Sequence, residues 1–476
     1  MIAAGRSTTE LSIDERLDRL PVTGEHRRVI AILALGNFFE IYELFLSGLL
    51  ATTLKKTFAL NGLTLSVVLA SGFVGAFLGA IVIGRLADRR GRRQAYVFTL
   101  TLYSAFSLLG AFAPTVWALV VFRFFAGIGL GGELPVTDSY LSDVLPARNR
   151  GRYAAWAFTV AYLAVPAVGF LGVALVDASP LGVAGWRWMF AIGSLGAITT
   201  FAVRRRLPES PRWLESVGRH ADADTVVRRF EAAAAAEGWT PLTSQASTGR
   251  APAAPAASAR ALLRPPLRRR TSLMAVAWVT VTIGYYGFSN IATLSLTQRG
   301  FSVTNSLLYS SVSFIGYPVG SMISVPIMDR FERKWILVGS LLAMAALGLG
   351  FGYAATSMQV IACGFLLTCA ANVMSNAIHI YQSELFPTSV RTTATGWLYS
   401  LGRLSIATVP FYLIPLLNGY GPGAVFALIG TALLLGVTAL AVFGPRTTGL
   451  TVEAISRSAT ASASPSGARP EAGSAR

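Results

Sequence analysis

Charge is scarce in this chain. Only 13% of its 476 residues are Asp, Glu, Lys or Arg, about half the fraction usual for a soluble domain. With 53% hydrophobic residues and a mean hydropathy of +0.56, too little polar surface remains to keep a soluble protein dispersed. An ordinary cytosolic enzyme is excluded. Cysteine is nearly absent: Cys363 and Cys369 both fall in apolar stretches, so no disulfide framework is expected. No Walker-type phosphate loop and no metal-ligand cluster occurs, so primary pumping and hydrolysis have no support. No cofactor is expected beyond a proton acting as coupling ion. Lysine is rare and no N-x-S/T sequon is present, which fits a bacterial source.

What charge there is leans basic, with 40 Lys and Arg against 23 Asp and Glu. Nucleic-acid binding would need those cations on one face of a soluble fold. Here they sit in gaps between long apolar runs, the pattern of a membrane protein. Twelve runs are each long enough to cross a bilayer: 29–51, 64–86, 94–113, 116–140, 153–176, 186–204, 272–296, 306–328, 335–355, 359–383, 393–417 and 422–443. The polar leader 1–28 and the lack of a small-residue cleavage site argue against a signal peptide. Thirty-four of the 40 cations fall in the leader, the alternate loops, the central linker and the tail. The positive-inside rule therefore predicts cytoplasmic termini in a bacterial inner membrane.

The loops repeat. Tyr140-x-Ser142-Asp143-x-x-Pro146-x-x-x-Arg150 recurs as Tyr381-x-Ser383-Glu384-x-x-Pro387-x-x-x-Arg391, offset by 241 residues. Asp88-Arg89-Arg90-Gly91-Arg92-Arg93 recurs as Asp329-Arg330-Phe331-Glu332-Arg333-Lys334 at the same offset. Two motifs at one offset predict two parallel six-helix halves, 29–204 and 272–443, around a central cavity. Between them lies a linker, 205–271, with a helix-prone stretch around Val226–Glu237 and a Ser/Ala/Pro/Gly tract at 245–260 read as disordered. The tail, 444–476, has the latter composition.

A few charges lie inside the runs, where each costs at least a few kcal/mol and so marks a partner or a wet cavity. Glu40 and Glu43 stand at i, i+3 on one face of the first run. Alternating between an arginine partner and a drier setting, such a carboxylate takes a proton on one side and releases it on the other. A static ion pair is the bland alternative. Arg123 and Glu133 lie in the fourth run, and Glu133 is a candidate second proton site. Arg403, ten residues into the eleventh, presents a planar fork suited to a substrate carboxylate, or to one of these acids. Asn372, Asn376 and His379 form a polar stripe on the tenth run, directed at a cavity or a neighbouring helix. His379 is also a possible proton carrier. Tyr285, Tyr286 and Asn290 on the seventh offer rings and hydrogen bonds to a substrate, or to neighbouring helices.

These residues carry a family resemblance. Gly84-Arg-Leu-Ala-Asp88-Arg89-Arg-Gly91-Arg92-Arg93, Arg123-Phe-Phe-Ala-Gly127-Ile-Gly129-Leu-Gly131-Gly132 and Pro208-Glu-Ser-Pro211-Arg-Trp-Leu214 together resemble the major facilitator superfamily. The branch is that of sugar porters and aromatic-acid or other metabolite:proton symporters. The resemblance implies an all-α membrane fold with helices 1, 4, 7 and 10 around the cavity, and matches Glu43 and Arg123 to a proton-coupling pair. The arginines beside Asp88 can pair with acids of neighbouring helices on the cytoplasmic face, and Gly84, Asp88, Arg89, Gly91 and Arg92, with Asp143/Arg150, Asp329/Arg330 and Glu384/Arg391, are expected to latch the outward-facing state and release as the halves rock inward. The fifth run lacks glutamine, unlike a hexose carrier, and Val165-Pro166-Ala-Val-Gly169-Phe170 departs from the drug-antiporter run. The expected function is proton-coupled symport of a small organic acid by a monomer in the bilayer, with no nucleic-acid partner. A sugar or polyol facilitator and a non-transporting sensor are the alternatives.

Overall fold

The computed structural model describes residues 11–146, 148, 150–196, 206–240, 262–265, 267–386 and 388–447. A short leader helix, α1 (Ile13–Arg19), opens on a capping box in which Ser12 and Glu15 bond each other's backbone N–H groups. The first half follows as α2 (Gly24–Leu49), α3 (Ala51–Thr57), α4 (Gly62–Arg90), α5 (Arg92–Ala111), α6 (Val116–Val144), α7 (Arg150–Tyr162), α8 (Ala164–Leu175) and α9 (Gly185–Gly193). The linker supplies α10 (Pro211–Ser216) and α11 (His220–Ala236). The second half comprises α12 (Leu267–Gln298), α13 (Val303–Phe314), α14 (Gly316–Arg330), α15 (Arg333–Tyr353), α16 (Ser357–Leu385) and α17 (Thr388–Phe443).

Nine helices among the described residues are long and apolar enough to span a membrane. Runs one, two, four, five and seven to ten each fall on one of these nine; run three is helical as α5 but is not among them. Runs eleven and twelve form one element, α17, broken at Gly421, whose φ of 79° needs a residue without a Cβ. Run six is described only to residue 196. The 245–260 tract and most of the tail lie outside the described residues.

Small residues bring the spans together. A Cβ added to Gly127 of α6 would overlap the Gly72 carbonyl of α4, and one on Gly131 would overlap Ala76. In the second half, Gly316 and Gly320 of α14 lie equally close to the backbone of α16 at Phe365 and Cys369. This is the close approach that small-xxx-small spacing permits in lipid.

The halves meet chiefly at the end of the bundle away from the linker. There the Ser66 hydroxyl donates to the Pro410 carbonyl at 3.0 Å, Thr304 bonds Asp177 and Gly48 lies against Asn290. Nearer the middle, Thr159 and Ser321 share a hydrogen bond of 3.0 Å. At the linker end, the leader and α10–α11 dock on the first half alone. The Trp213 indole donates to the Asp88 carbonyl at 2.9 Å, and Ser210 donates to Asp143 at 2.8 Å. Arg212 pairs with Asp14 at 2.7 Å and Asp18 at 3.1 Å. Arg16 reaches Asp224 at 2.6 Å and Glu231 at 2.7 Å.

Candidate functional site: a charged cavity between the halves

The i, i+3 spacing of Glu40 and Glu43 turns them about 60° apart on α2, and that angle gives them different partners. Glu43 faces the interior of the first half. Arg123 Nη1 donates to Glu43 Oε2 at 2.7 Å, and Nη2 donates to the Glu43 carbonyl at 3.2 Å. The Ser107 hydroxyl donates to Oε1. Both carboxylate oxygens are therefore bonded, and the guanidinium lies 5.7 Å from the centre of the Phe190 ring.

Glu40 faces the other half. Its Oε1 lies 3.8 Å from Arg403 Nη2, too far for a hydrogen bond, and neither of its oxygens has a hydrogen-bond partner. Arg403 donates to the Tyr399 hydroxyl one turn earlier on α17, and stacks over that ring at 4.8 Å. Its Nε and Nη1 have no hydrogen-bond partner, although the side chain is 3% exposed. The contact is electrostatic and loose. Glu40–Arg403 joins the two halves; other ion pairs among the described residues lie within one half, within the linker, or tie the leader and linker to the first half or to each other.

Arg403 also lines a cavity of about 70 Å³. Tyr285, Tyr286 and His379 line it too. Tyr162, Trp278 and Tyr399 complete its aromatic wall, and none of these three was expected from the sequence. Trp278 orders that wall: its indole donates to Gln382, and its ring meets His379 edge-on at 5.3 Å and Tyr399 at 5.9 Å. Tyr399 stands at i−4 from Arg403, a helical spacing that carried a usable signal. Tyr162 comes from the opposite half, and nothing local to it signals the contact.

Three expected substrate ligands lie elsewhere. Asn372 donates to the Tyr317 carbonyl at 2.6 Å and Asn376 to the Ser324 hydroxyl at 2.6 Å, both on α14. The polar stripe thus splits. His379 shares the cavity edge with Met374, Ser375 and Ile378, while the asparagines, turned further round α16, hold helices together. Asn290 sits against Gly48 in the seam between the halves rather than in the cavity wall. Glu133 is fully buried beside Gly36 and the Tyr96 hydroxyl, within electrostatic reach of Glu40.

The loop motifs form ion pairs between neighbouring helices. Asp143 pairs with Arg92 at 3.6 Å, and Glu384 pairs with Arg333 at 3.3 Å. Both members of the second pair stand 241 residues after those of the first, so one contact recurs in each half. Arg391 donates to the Phe386 carbonyl at 3.2 Å. Asp88 is bonded by Arg92 at 2.8 Å yet remains 75% exposed. Arg89 and Arg330 are exposed, and Gly84 faces open space. Gly91, with φ 101°, turns the chain between α4 and α5, and a Cβ there would overlap Glu209, whose carboxylate accepts from the Arg93 N–H at 3.0 Å. The side chains of Arg150 and Asp329 lie outside the described residues.

Two membrane-spanning bundles enclosing a cavity with buried charges define a multi-pass transporter of the major facilitator fold, not an enzyme. Residues 29–459 match the family model described as sugar (and other) transporter, and the chain belongs to that family. It is 33% identical to the putative metabolite transport protein YyaJ of Bacillus subtilis, covering 91% of this chain and 95% of that protein. It is 29% identical to the niacin transporter NiaP of Acinetobacter baylyi, covering 94% and 100%, and 28% identical to the gentisate transporter of Corynebacterium glutamicum, covering 92% of each. Among solved structures, the inward-open conformation of the xylose transporter XylE from E. coli matches with a TM-score of 0.69 at 18% identity, covering 90% of this chain and 99% of that one. At that identity the likeness speaks to the fold alone.

Proposed function

We propose that this protein imports a small organic acid, in particular an aromatic monocarboxylate, together with a proton across a bacterial inner membrane. The observation that supports this most is Arg403. A buried guanidinium with two unused nitrogens is costly unless an anion meets it, and its planar fork matches a carboxylate bidentately. The surrounding Trp278, Tyr286 and Tyr399 suit a flat ring stacked or edge-on. Relatives named for niacin and gentisate transport are named for compounds of this kind.

The proton is carried by the α2 acids. Glu43 with Glu40, and with Glu133 nearby as a second site, takes a single proton from the outer face, and its arrival loosens the contact between the protonated acid and its facing arginine. The substrate carboxylate binds Arg403, the halves rock about the cavity, and proton and anion leave to the cytoplasm. The Asp88, Arg92/Asp143 and Arg333/Glu384 groups set the balance between states and not the choice of substrate.

Proteoliposomes with an imposed pH gradient test this. Radiolabelled niacin or gentisate should accumulate against its gradient, an uncoupler should abolish the accumulation, and Arg403→Lys should weaken uptake at least tenfold. Preferential, equilibrative uptake of xylose in the same vesicles would instead make the protein a neutral-solute facilitator. Binding without flux would make it a sensor.

A further inference from the structure

We infer that Glu40 is an internal stand-in for the substrate: it occupies Arg403 when the cavity is empty, the substrate carboxylate displaces it, and Glu40 then takes up the coupled proton. The inference rests on the organic-acid reading above and assigns the coupling step to one residue of the pair on α2.

The geometry distinguishes the two acids. Glu43 is held by three donors, from Arg123 and Ser107, all within its own half. Nothing entering the central cavity need disturb it. Glu40 makes one described ion pair, the 3.8 Å approach to Arg403 across the seam between the halves. Both its oxygens and two of the three Arg403 nitrogens lack hydrogen-bond partners while being buried. A loose, unsaturated pair is what an incoming carboxylate can open, because the new bidentate hydrogen bonds replace contacts that were not made before.

Charge balance then requires the proton. The empty site holds one carboxylate and one guanidinium and is neutral. A second carboxylate on Arg403 would leave a buried excess negative charge, which is costly in a low-dielectric interior. One proton from the outer water, bound to Glu40, restores neutrality. The bound site thus contains neutral Glu40, Arg403 and the substrate anion. When the substrate leaves to the other side, Arg403 recaptures Glu40 and the proton departs. Without substrate, pairing with Arg403 keeps Glu40 ionised, so the carrier that returns empty brings no proton with it and does not leak.

The ionisable groups facing this pair are Glu133 and Asp138 on α6 and His379 on α16. Five tyrosines also face it: Tyr96, Tyr103, Tyr162, Tyr286 and Tyr399. Of these groups, Glu133 is the competitor for the proton, being buried and closest in kind.

Calorimetric binding of benzoate to the purified full-length protein in nanodiscs decides the matter, at about pH 6 to 8, where the ligand is ionised. In buffers of different ionisation enthalpy, the wild type should take up close to one proton per benzoate bound. Its affinity should fall toward tenfold per pH unit as that uptake becomes complete. Glu40→Gln should bind with no proton uptake and no pH slope, at least as tightly as the wild type at the alkaline end. Glu40→Asp, which retains the acid should the glutamine variant fail to fold, should keep the proton uptake. Unchanged uptake and slope in Glu40→Gln, or their loss in Glu133→Gln or Glu43→Gln instead, overturns the assignment and leaves the organic-acid reading standing. Wild-type protein that binds neither benzoate nor any other carboxylate overturns both.

Discussion

Asn290 in the second half lies flush against Gly48 in the first, so that a Cβ at position 48 would sit 2.9 Å from the Asn290 Cα and overlap its side-chain oxygen. This contact belongs to the seam that closes the far end of the bundle. Gly48→Val should act as a wedge there. Overpacking of this kind costs about 1–3 kcal/mol, and here the cost falls on the closed arrangement and not on the fold of either half. A shift of that size moves a two-state population by about five- to 150-fold. Transport should therefore fall by at least fivefold. A cysteine introduced at Ser66, beside the Pro410 carbonyl, should become more reactive to a membrane-impermeant thiol reagent. Unchanged labelling would place this contact outside the moving seam.

The Glu43–Arg123–Ser107 cluster separates coupling from packing. Glu43→Gln keeps the shape but removes a carboxylate that two donors address, Arg123 Nη1 and the Ser107 hydroxyl. With the coupled proton on Glu40, it should spare pH-driven accumulation and counterflow exchange alike; loss of accumulation with exchange retained would move the coupling proton to Glu43. Arg123→Ala is the harsher change. Breaking a buried pair by removing one partner costs about 3–5 kcal/mol, so thermal unfolding of the purified variant should begin well below that of wild type.

These residues also show what a linear sequence can disclose. The spans were legible because a bilayer demands about twenty apolar residues in a row, a purely local property. The repeat was legible too, and its offset of 241 reappears as the Arg92–Asp143 and Arg333–Glu384 pairs. That an arginine beside Asp88 pairs with an acid of a neighbouring helix was legible; that the acid is Asp143 was not, because the partner is set by loops that meet only in space. Glu40, Arg403, Tyr285, Tyr286 and His379 were found as intramembrane polar groups, a signal that needs no tertiary knowledge. Which of them meet was not legible. Glu40 and Arg403 sit in different halves, and Asn372 and Asn376 differ from His379 only by a modest turn of one helix.

The leader and linker form a polar clasp whose pH response can be signed. Arg16 places three nitrogens on Asp224 and Glu231, and the Glu231 bond raises the arginine further above its ordinary range. The same guanidinium holds the Asp224 carboxyl below its usual range. A carboxylate depressed on docking contributes stability above its ordinary value of about 4 and loses it as pH falls through the docked value. The clasp should therefore hold at neutral pH and open in acid. Arg16→Ala should mimic acid at neutral pH, seen as faster amide exchange across Ile13–Arg19. Arg16→Lys should restore it only in part, since an ammonium cannot hold Glu231 with two parallel bonds. Equal protection in wild type and Arg16→Ala would mean that the clasp rests on Arg212 with Asp14 and Asp18 instead.

The exchange of Glu40 for a substrate carboxylate on Arg403 fixes the driving force. One monoanion entering with one proton moves no net charge, so the membrane potential does no work on the loaded carrier. The unloaded carrier returns with Glu40 and Arg403 paired at 3.8 Å and Glu43 paired with Arg123 at 2.7 Å, each pair again neutral. In vesicles clamped by a potassium ionophore, imposing a potential of either sign should leave initial uptake of an aromatic monocarboxylate unchanged, while a pH gradient of matching size should drive it. If Glu133 carries a second proton, each turnover moves one positive charge inward, and about 2.3 kcal/mol per 100 mV becomes available. An inside-negative potential would then raise accumulation sharply, by close to 50-fold per 100 mV at equilibrium, and Glu133→Gln should return the system to electroneutral behaviour. A dicarboxylate brings the same test from the other direction. With one proton it moves a negative charge inward and should be opposed by the potential that leaves the monocarboxylate untouched.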